Sequence, residues 1–172
     1  MKNLYLAAPD LKYKKSFEDY VLAYQKSDNE FYFSIYKKAL ENFPDYLKEL
    51  HSCSIGIDLP QGEVKTSTYW LIHEMEVVGV VRIRHQDVGC DGNIGYDISP
   101  NNRNQGYGFE ILNLALEKAE QIGLNEVFLT CNIDNSASRK IIEKNGGKLL
   151  GTVFDTEENE HLYKYCISLV SD

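Results

Sequence analysis

The chain has 172 residues, 43% of them hydrophobic and 26% charged, with a formal net charge of −8 at pH 7. That length and balance suit one domain with a sizeable core and argue against extended disorder. The surplus of acidic residues, 26 Asp and Glu against 18 Lys and Arg, excludes a protein that grips nucleic acid through its phosphates. It tilts any long-range electrostatic preference towards cationic small molecules or basic peptides.

No apolar run reaches the ~18 residues that a membrane helix needs, so no membrane partner is expected. The segment Met1 to Asp10 is too short in apolar length for a secretory signal. Cys53, Cys90, Cys131 and Cys166 are scattered, with no Cys-x-x-Cys pair. This spacing predicts reduced thiols in a cytoplasmic protein, and neither a disulfide framework nor a metal site.

In chain order, Asn3–Ala7 reads as a short strand ended by Pro9. Leu11, Phe17, Tyr20, Val21 and Tyr24 fall near helical spacing between Asp10 and Ser27. A second helical pattern starts at Glu30, and a third covers Pro44–Leu50 with proline where a helix start tolerates it. The aromatic residues of this N-terminal third read mainly as core. The helices between residues 10 and 50 are also expected to wall the side of a pocket. Ser52–Lys65, with Gly56, Pro60 and Gly62, reads as a loop. Thr66–His73 and Val77–Arg84 then form a hairpin around Glu74-Met75-Glu76.

A polar break leads to the strand Asn93–Ile98 and a long helix, Gly106–Ile122, whose stripe of Leu112, Ala115, Leu116, Ala119 and Ile122 is stopped by Gly123. Val127–Thr130 is a continuous apolar run of the kind found centrally in a sheet. Asp134 is placed to cap the next helix, which ends at Asn145-Gly146-Gly147. Lys148–Phe154 and Leu162–Leu169 suggest a closing hairpin. The expected architecture is a single α/β domain over residues 1–172, with a mixed sheet and helices on both faces.

The turn between Ile98 and the long helix draws attention for its chemistry. A helix N-terminus presented by glycines is a ready site for a phosphate or pyrophosphate. The chain lacks Gly-x-x-x-x-Gly-Lys-Ser/Thr, which argues against a Walker nucleotide site. Gly106-x-Gly108 lacks the third glycine of a dinucleotide fingerprint, which weakens a nucleotide-binding reading.

What remains, Arg103-x-x-Gly106-x-Gly108 between a strand and a long helix, resembles the acetyl-coenzyme A motif of the GNAT superfamily of N-acetyltransferases, Arg/Gln-x-x-Gly-x-Gly/Ala. A second block, Leu129-Thr-Cys-Asn132-Ile-Asp-Asn135-Ser-Ala-Ser138 running on to Glu143-Lys-Asn-Gly-Gly147, is similar to the family's strand, Asn-x-x-Ser and helix ending in Glu-Lys-x-Gly. The two blocks stand in the family's order and, with the closing strands, cover about Thr66 to Leu169. Ile83-Arg84-His85 and Gly92-x-Ile-Gly-Tyr96 also resemble a bacterial subgroup of predicted acetyltransferases.

The resemblance implies the acyl-coenzyme A N-acyltransferase fold, with residues 92–147 as the acetyl-coenzyme A core and no metal. It implies that Arg103, Asn104, Gln105, Gly106, Tyr107 and Gly108 hold the pyrophosphate. Ile98, Ser99, Asn132, Asn135 and Ser138 would then line the path of the pantetheine arm, which enters between two splayed strands. Many members are dimers, so the resemblance admits a homodimer.

The implied reaction is attack of an amine on the acetyl thioester, the amine belonging to a small molecule, an amino acid, a polyamine or a peptide. An amine of pKa ~10.4 must first lose a proton, and Asp97 and His85 are the candidates to take it. A backbone N–H near Ile98 would meet the developing oxyanion. Many members carry a tyrosine before the glutamate of Glu-Lys-x-Gly to protonate the leaving thiolate; this chain has Ile142 there. Tyr96 or Tyr107 are alternatives. The rival reading is a non-catalytic acyl-coenzyme A-binding module with the same fold.

Overall fold

The structure, a computed structural model, describes residues 3–27 and 29–170. Strand β1 (Leu4–Ala7) is followed by a 3-10 turn, Leu11–Tyr13, and helices α1 (Lys14–Gln25), α2 (Glu30–Tyr36), α3 (Lys38–Glu41) and α4 (Phe43–Ile55). Strands β2 (Thr66–His73), β3 (Glu76–Arg84) and β4 (Ile94–Ile98) lead to helix α5 (Tyr107–Ile122). Strand β5 (Glu126–Asn132), helix α6 (Ser136–Lys144) and the hairpin β6 (Lys148–Asp155) with β7 (Glu160–Ser168) complete the chain.

The strands form two sheets, ordered β1-β2-β3-β4 and β5-β7-β6, with every ladder antiparallel. The mixed character of the architecture rests on the β4–α5–β5 crossover, the kind of connection that neighbouring parallel strands require. Hydrophobic alternation along β2 and β3 sorts side chains onto two faces. Leu71, Val81 and Ile83 join Ile111, Leu112, Ala115 and Ala119 of α5 in one core. Trp70, Ile72, Val77 and Val80 join Phe17, Tyr20, Tyr24, Tyr36 and Phe43 in the other. There the Phe17 ring stacks on Trp70 at 4.3 Å between centroids. Burying side chains of this size contributes about 1.5–3 kcal/mol apiece.

Several local expectations shift. Asn42 caps α4 by accepting from the Asp45 N–H, and Pro44 sits in the first turn. The helix runs on to Ile55 before Gly56 ends it at φ 76°, so residues 52–55 are helix rather than loop. The residue that caps α6 is Asn135, accepting from Ser138 N–H, not Asp134. Strand β5 is an edge of its own sheet rather than a central strand. Its apolar character follows from lying beside β4 and beneath α5, where Val127 and Leu129 are buried.

The two sheets meet at one point. Asn93, 2% exposed, donates its backbone N–H to Phe128 O at 2.7 Å. Its side-chain Oδ1 accepts from Phe128 N–H at 2.8 Å, and its Nδ2 donates to Arg84 O at 3.2 Å. Gly92 makes the approach feasible: a Cβ there would lie 2.4 Å from Phe128 O. Thr130 Oγ1 adds a bond to Cys90 O at 2.5 Å. Past this pin no ladder joins β4 to β5, and the strands stand apart.

Replacing Asn93 by Ala leaves the buried Phe128 N–H and Arg84 C=O without their side-chain partner. It is expected to lower the unfolding free energy by about 2–3 kcal/mol, against about 1 kcal/mol for Asn42→Ala at the α4 cap. Urea denaturation of the two variants checks the order.

Candidate functional site

The ladder between β3 and β4 decides what β4 shows to the gap. Ser99 N–H donates to Val78 O and Arg84 N–H to Asn93 O. In an antiparallel pair this alternation turns the backbone groups of Gly95 and Asp97 to β3, and those of Ile94, Tyr96 and Ile98 the other way, towards β5. The gap is a cleft of about 290 Å³. Its walls are Gly95 and Tyr96 on β4, Thr130 and Cys131 on β5, Asn135, Ser138 and Ile142 on α6, and Tyr32 and Ile35 on α2. Arg82 and Arg84 of β3 close the side nearest α2.

At one end stands the turn before α5. Asn104 and Gly106 adopt left-handed conformations, φ 60° and 85°, and no side chain caps the helix. A 16-residue helix therefore presents the positive end of its dipole there. The two glycines serve different needs. Gly106 has open space where a Cβ would be, so its requirement is conformational. At Gly108 a Cβ would meet Ile141 Cδ1 at 2.6 Å, so that glycine lets α6 pack on α5. Ile141 packs on the start of α5 at Gly108 and Ile142 lines the cleft, so α6 borders both.

The remaining residues expected at the site fall into three groups. Asn135 and Ser138 line the cleft, and Ser138 Oγ lies 3.4 Å from Tyr96 Oη. Ile98 and Ser99 end β4; the Ile98 carbonyl accepts from Tyr24 O–H at 2.9 Å, and Ser99 Oγ accepts from Asn101 N–H. Arg103 borders a hollow with Asn29, Glu30 and Phe31 at the start of α2. Asn132 is outside the cleft wall: it donates to Glu160 and accepts from Asp134 N–H, which shapes the turn into α6. Gln105 lies in the turn ahead of α5. Tyr107 is buried, with its hydroxyl 2.9 Å from His73 Nδ1. His85 Nε2 is 2.9 Å from Ser67 Oγ, away from the cleft walls.

Asp97 has a different environment from a solvent-facing base. It is 6% exposed, and its carboxylate accepts from Tyr20 at 2.5 Å, Tyr24 at 2.9 Å, Tyr36 at 2.6 Å and Arg82 at 3.1 Å. Burial, with the Asp97 charge adding to it, pushes the Tyr20 and Tyr24 hydroxyls well up. Burial also raises Tyr36, against the opposing pull of Arg82. The three hydroxyls are therefore fixed donors across neutral pH. Burial opposes the Arg82 charge, but Tyr36 and Asp97 outweigh it and hold the guanidinium protonated. Sequence reading missed this cage because its members come from α1, α2, β3 and β4. The only local hint was a run of tyrosines at helical spacing.

In the cleft, burial pushes the Tyr96 hydroxyl up to about 12. Burial likewise raises the Cys131 thiol, against a smaller opposing effect of Arg139. Neither group is ionised near neutrality. Among the described residues no cluster of His, Cys, Asp and Glu could hold a metal ion, and no helix is long and apolar enough to cross a membrane.

Removing the Asp97 carboxylate strands a buried guanidinium and three hydroxyls. Asp97→Ala should lower stability by about 3–5 kcal/mol, and Tyr20→Phe by about 1–2 kcal/mol. Chemical denaturation measures both; a loss below about 1 kcal/mol for Asp97→Ala would mean that the cage does not carry the load that its contacts indicate.

Solved structures share this fold. An acetyltransferase from Salmonella typhimurium that modifies the N-terminal serine of a 50S ribosomal subunit protein superposes with a TM-score of 0.68 at 16% identity, covering 96% of this chain and 94% of that one. Mycobacterium smegmatis RimJ, in complex with CoA-disulfide, gives 0.73 at 15% identity, with 96% and 81% covered. A spermidine N-acetyltransferase SpeG chimera from Vibrio cholerae and hSSAT gives 0.63 at 16%, with 96% and 95% covered. A search of the curated proteins finds no match. The family model described as "Acetyltransferase (GNAT) domain" matches residues 15–148, starting within α1 and ending where β6 begins. With the pinned, open β4–β5 cleft beside the N-terminus of α5, that match identifies the chain as a member of the GNAT acetyltransferase family.

Proposed function

We propose that this acetyltransferase moves an acetyl group from acetyl-coenzyme A directly to an amine, in a cytoplasmic setting. The observation that carries the reading is the gap beyond Asn93, where β4 turns the backbone of Tyr96 and Ile98 to an unpaired space next to the uncapped start of α5. A pantetheine arm is extended and carries amides, so it can pair with that edge as a strand would. The pyrophosphate would lie at Asn104–Gly108, with Arg103 as a charged partner. Asn135 and Ser138 form the opposite wall of the cleft.

The amine attacks the thioester carbonyl, and the backbone N–H of Ile98 is placed to receive the oxyanion. Collapse of the tetrahedral intermediate breaks the C–S bond and releases the thiolate. With Ile142 where many relatives carry tyrosine, Tyr96, a hydroxyl of the reacting strand on the cleft wall, is the donor we assign to it. Its raised pKa keeps it protonated at the moment of release. Cys131 stays a thiol for the same reason of burial, which favours direct transfer over an acyl-cysteine intermediate. Asp97 acts through its neighbours: its oxygens are engaged by four donors, and it fixes α1, α2 and Arg82 against the reacting strand. The amine proton leaves to water in the cleft, and water returns a proton to the Tyr96 phenolate, which restores the hydroxyl.

Acetyl-coenzyme A should raise the melting temperature, while NADH and ATP should not; no shift at millimolar acetyl-coenzyme A would sink the reading. Gly106→Glu puts bulk and negative charge at the pyrophosphate and should abolish that shift. Tyr96→Phe should lower kcat by about a hundredfold, the lower end of the range for a lost proton donor, with coenzyme affinity unchanged. Buried Ile142 keeps a second reading, a non-catalytic acyl-coenzyme A-binding module, in play. Thiol release across amines, amino acids, polyamines and peptides separates the two.

A further inference from the structure

A second cavity of about 390 Å³ shares Ile35, Arg82, Arg84 and Asp91 with the cleft. Leu50 and Val64 add apolar wall, and Glu63 adds a carboxylate. On the acetyl-transfer reading above, this is the side from which an acceptor meets the acetyl group.

Two guanidinium groups lie over Gly95 at the junction. A Cβ built on Gly95 would stand 3.6 Å from Arg82 Nη2 and 3.9 Å from Arg84 Nη1. Their surroundings differ. Arg82 is paired with Asp97 at 3.1 Å and donates to Tyr36. Among the described residues Arg84 has no carboxylate within ion-pair distance. Its hydrogen bond is a long one, 3.3 Å, to the Asp91 carbonyl. Burial works against the Arg84 charge, and Arg82 beside it adds repulsion, which Asp91 and Glu63 only partly offset. An incoming anion would improve such a group, because a guanidinium binds a carboxylate or phosphate through two charge-assisted hydrogen bonds.

We propose that the acceptor is an amine that also carries an anionic group, carboxylate or phosphate, which Arg84 binds at the junction of the two cavities. Asp91 and Glu63 in the same wall offer partners for its ammonium group. A polyamine would bring a second cation to the guanidinium pair and is disfavoured.

Calorimetry on the full chain tests this without turnover. Protein saturated with coenzyme A is titrated with amino acids and their carboxamides, with phosphoethanolamine and with spermidine. The expected result is that amino acids, phosphoethanolamine or both bind at least about tenfold more tightly than the carboxamides and spermidine, the scale of one charge-assisted bond. Preference for one anionic group over the other then names the source. Arg84→Gln should erase the preference while the coenzyme A isotherm stays that of the parent protein. Equal or tighter binding of carboxamides or spermidine overturns the proposal, as does absence of binding by every anionic amine, or an unchanged preference in Arg84→Gln. If coenzyme A itself fails to bind, the coenzyme assignment falls, and the same titrations on the free protein still decide the role of Arg84.

Discussion

The structure depends on an asparagine that pins β4 to β5 at one end, with no ladder joining the two strands beyond it. Asn93 bonds to both backbone groups of Phe128 and reaches back to Arg84, so β3, β4 and β5 are locked together at that level. A buried side chain that satisfies two backbone partners is worth keeping, because each would otherwise lose its hydrogen bond. Gly92 belongs to the same constraint, since any side chain would strike the Phe128 carbonyl. Had the pairing continued along β4, the sheet would be continuous and the edge groups of Tyr96 would be used up. The opening exists because the pin is local.

The second constraint is the Asp97 cage, and it works from the other face. One carboxylate holds hydroxyls from α1 and α2 and a guanidinium from β3. Those helices therefore sit at a fixed height over β4, and Tyr32 and Ile35 become part of the cleft wall. Three of the four buried polar residues, Asn93, Asp97 and Ser99, fall on or beside this one strand. That concentration marks β4 as the strand on which both constraints converge. Gly95, between them, leaves the room in which Arg82 and Arg84 approach.

Much of the scaffold was legible beforehand because its signals are local. The α5 stripe, its stop at Gly123, the β2–β3 hairpin and the closing hairpin follow from periodicity and turn residues within short windows. The turn at Gly106 was equally legible, since Arg103-x-x-Gly106-x-Gly108 stands between a strand and a long helix, and the left-handed φ of Gly106 came from the structure. Asn135 and Ser138 were found through the second motif, and they do face the cleft. Elements went astray where a neighbour decided the outcome. Asp134 and Asn135 are both good caps, and the path out of β5 selected Asn135. The apolar run of β5 suggested a central strand, yet its burial comes from α5 and the proximity of β4.

The sequence by itself determined the family, the order of elements and the place of the glycine-bearing turn ahead of α5, because each is written in spacing along the chain. Only the tertiary structure decided what the reactive strand looks like. Tyr20 and Asp97 are 77 residues apart, and Asn93 and Phe128 are 35 apart. No local rule links such pairs. The folded chain buries Asp97, a candidate base, among four donors and sets His85, the other candidate, beside Ser67. It also set two arginines side by side where an acceptor would enter. Burial and hydrogen bonding assign these roles, and both are properties of the packed molecule.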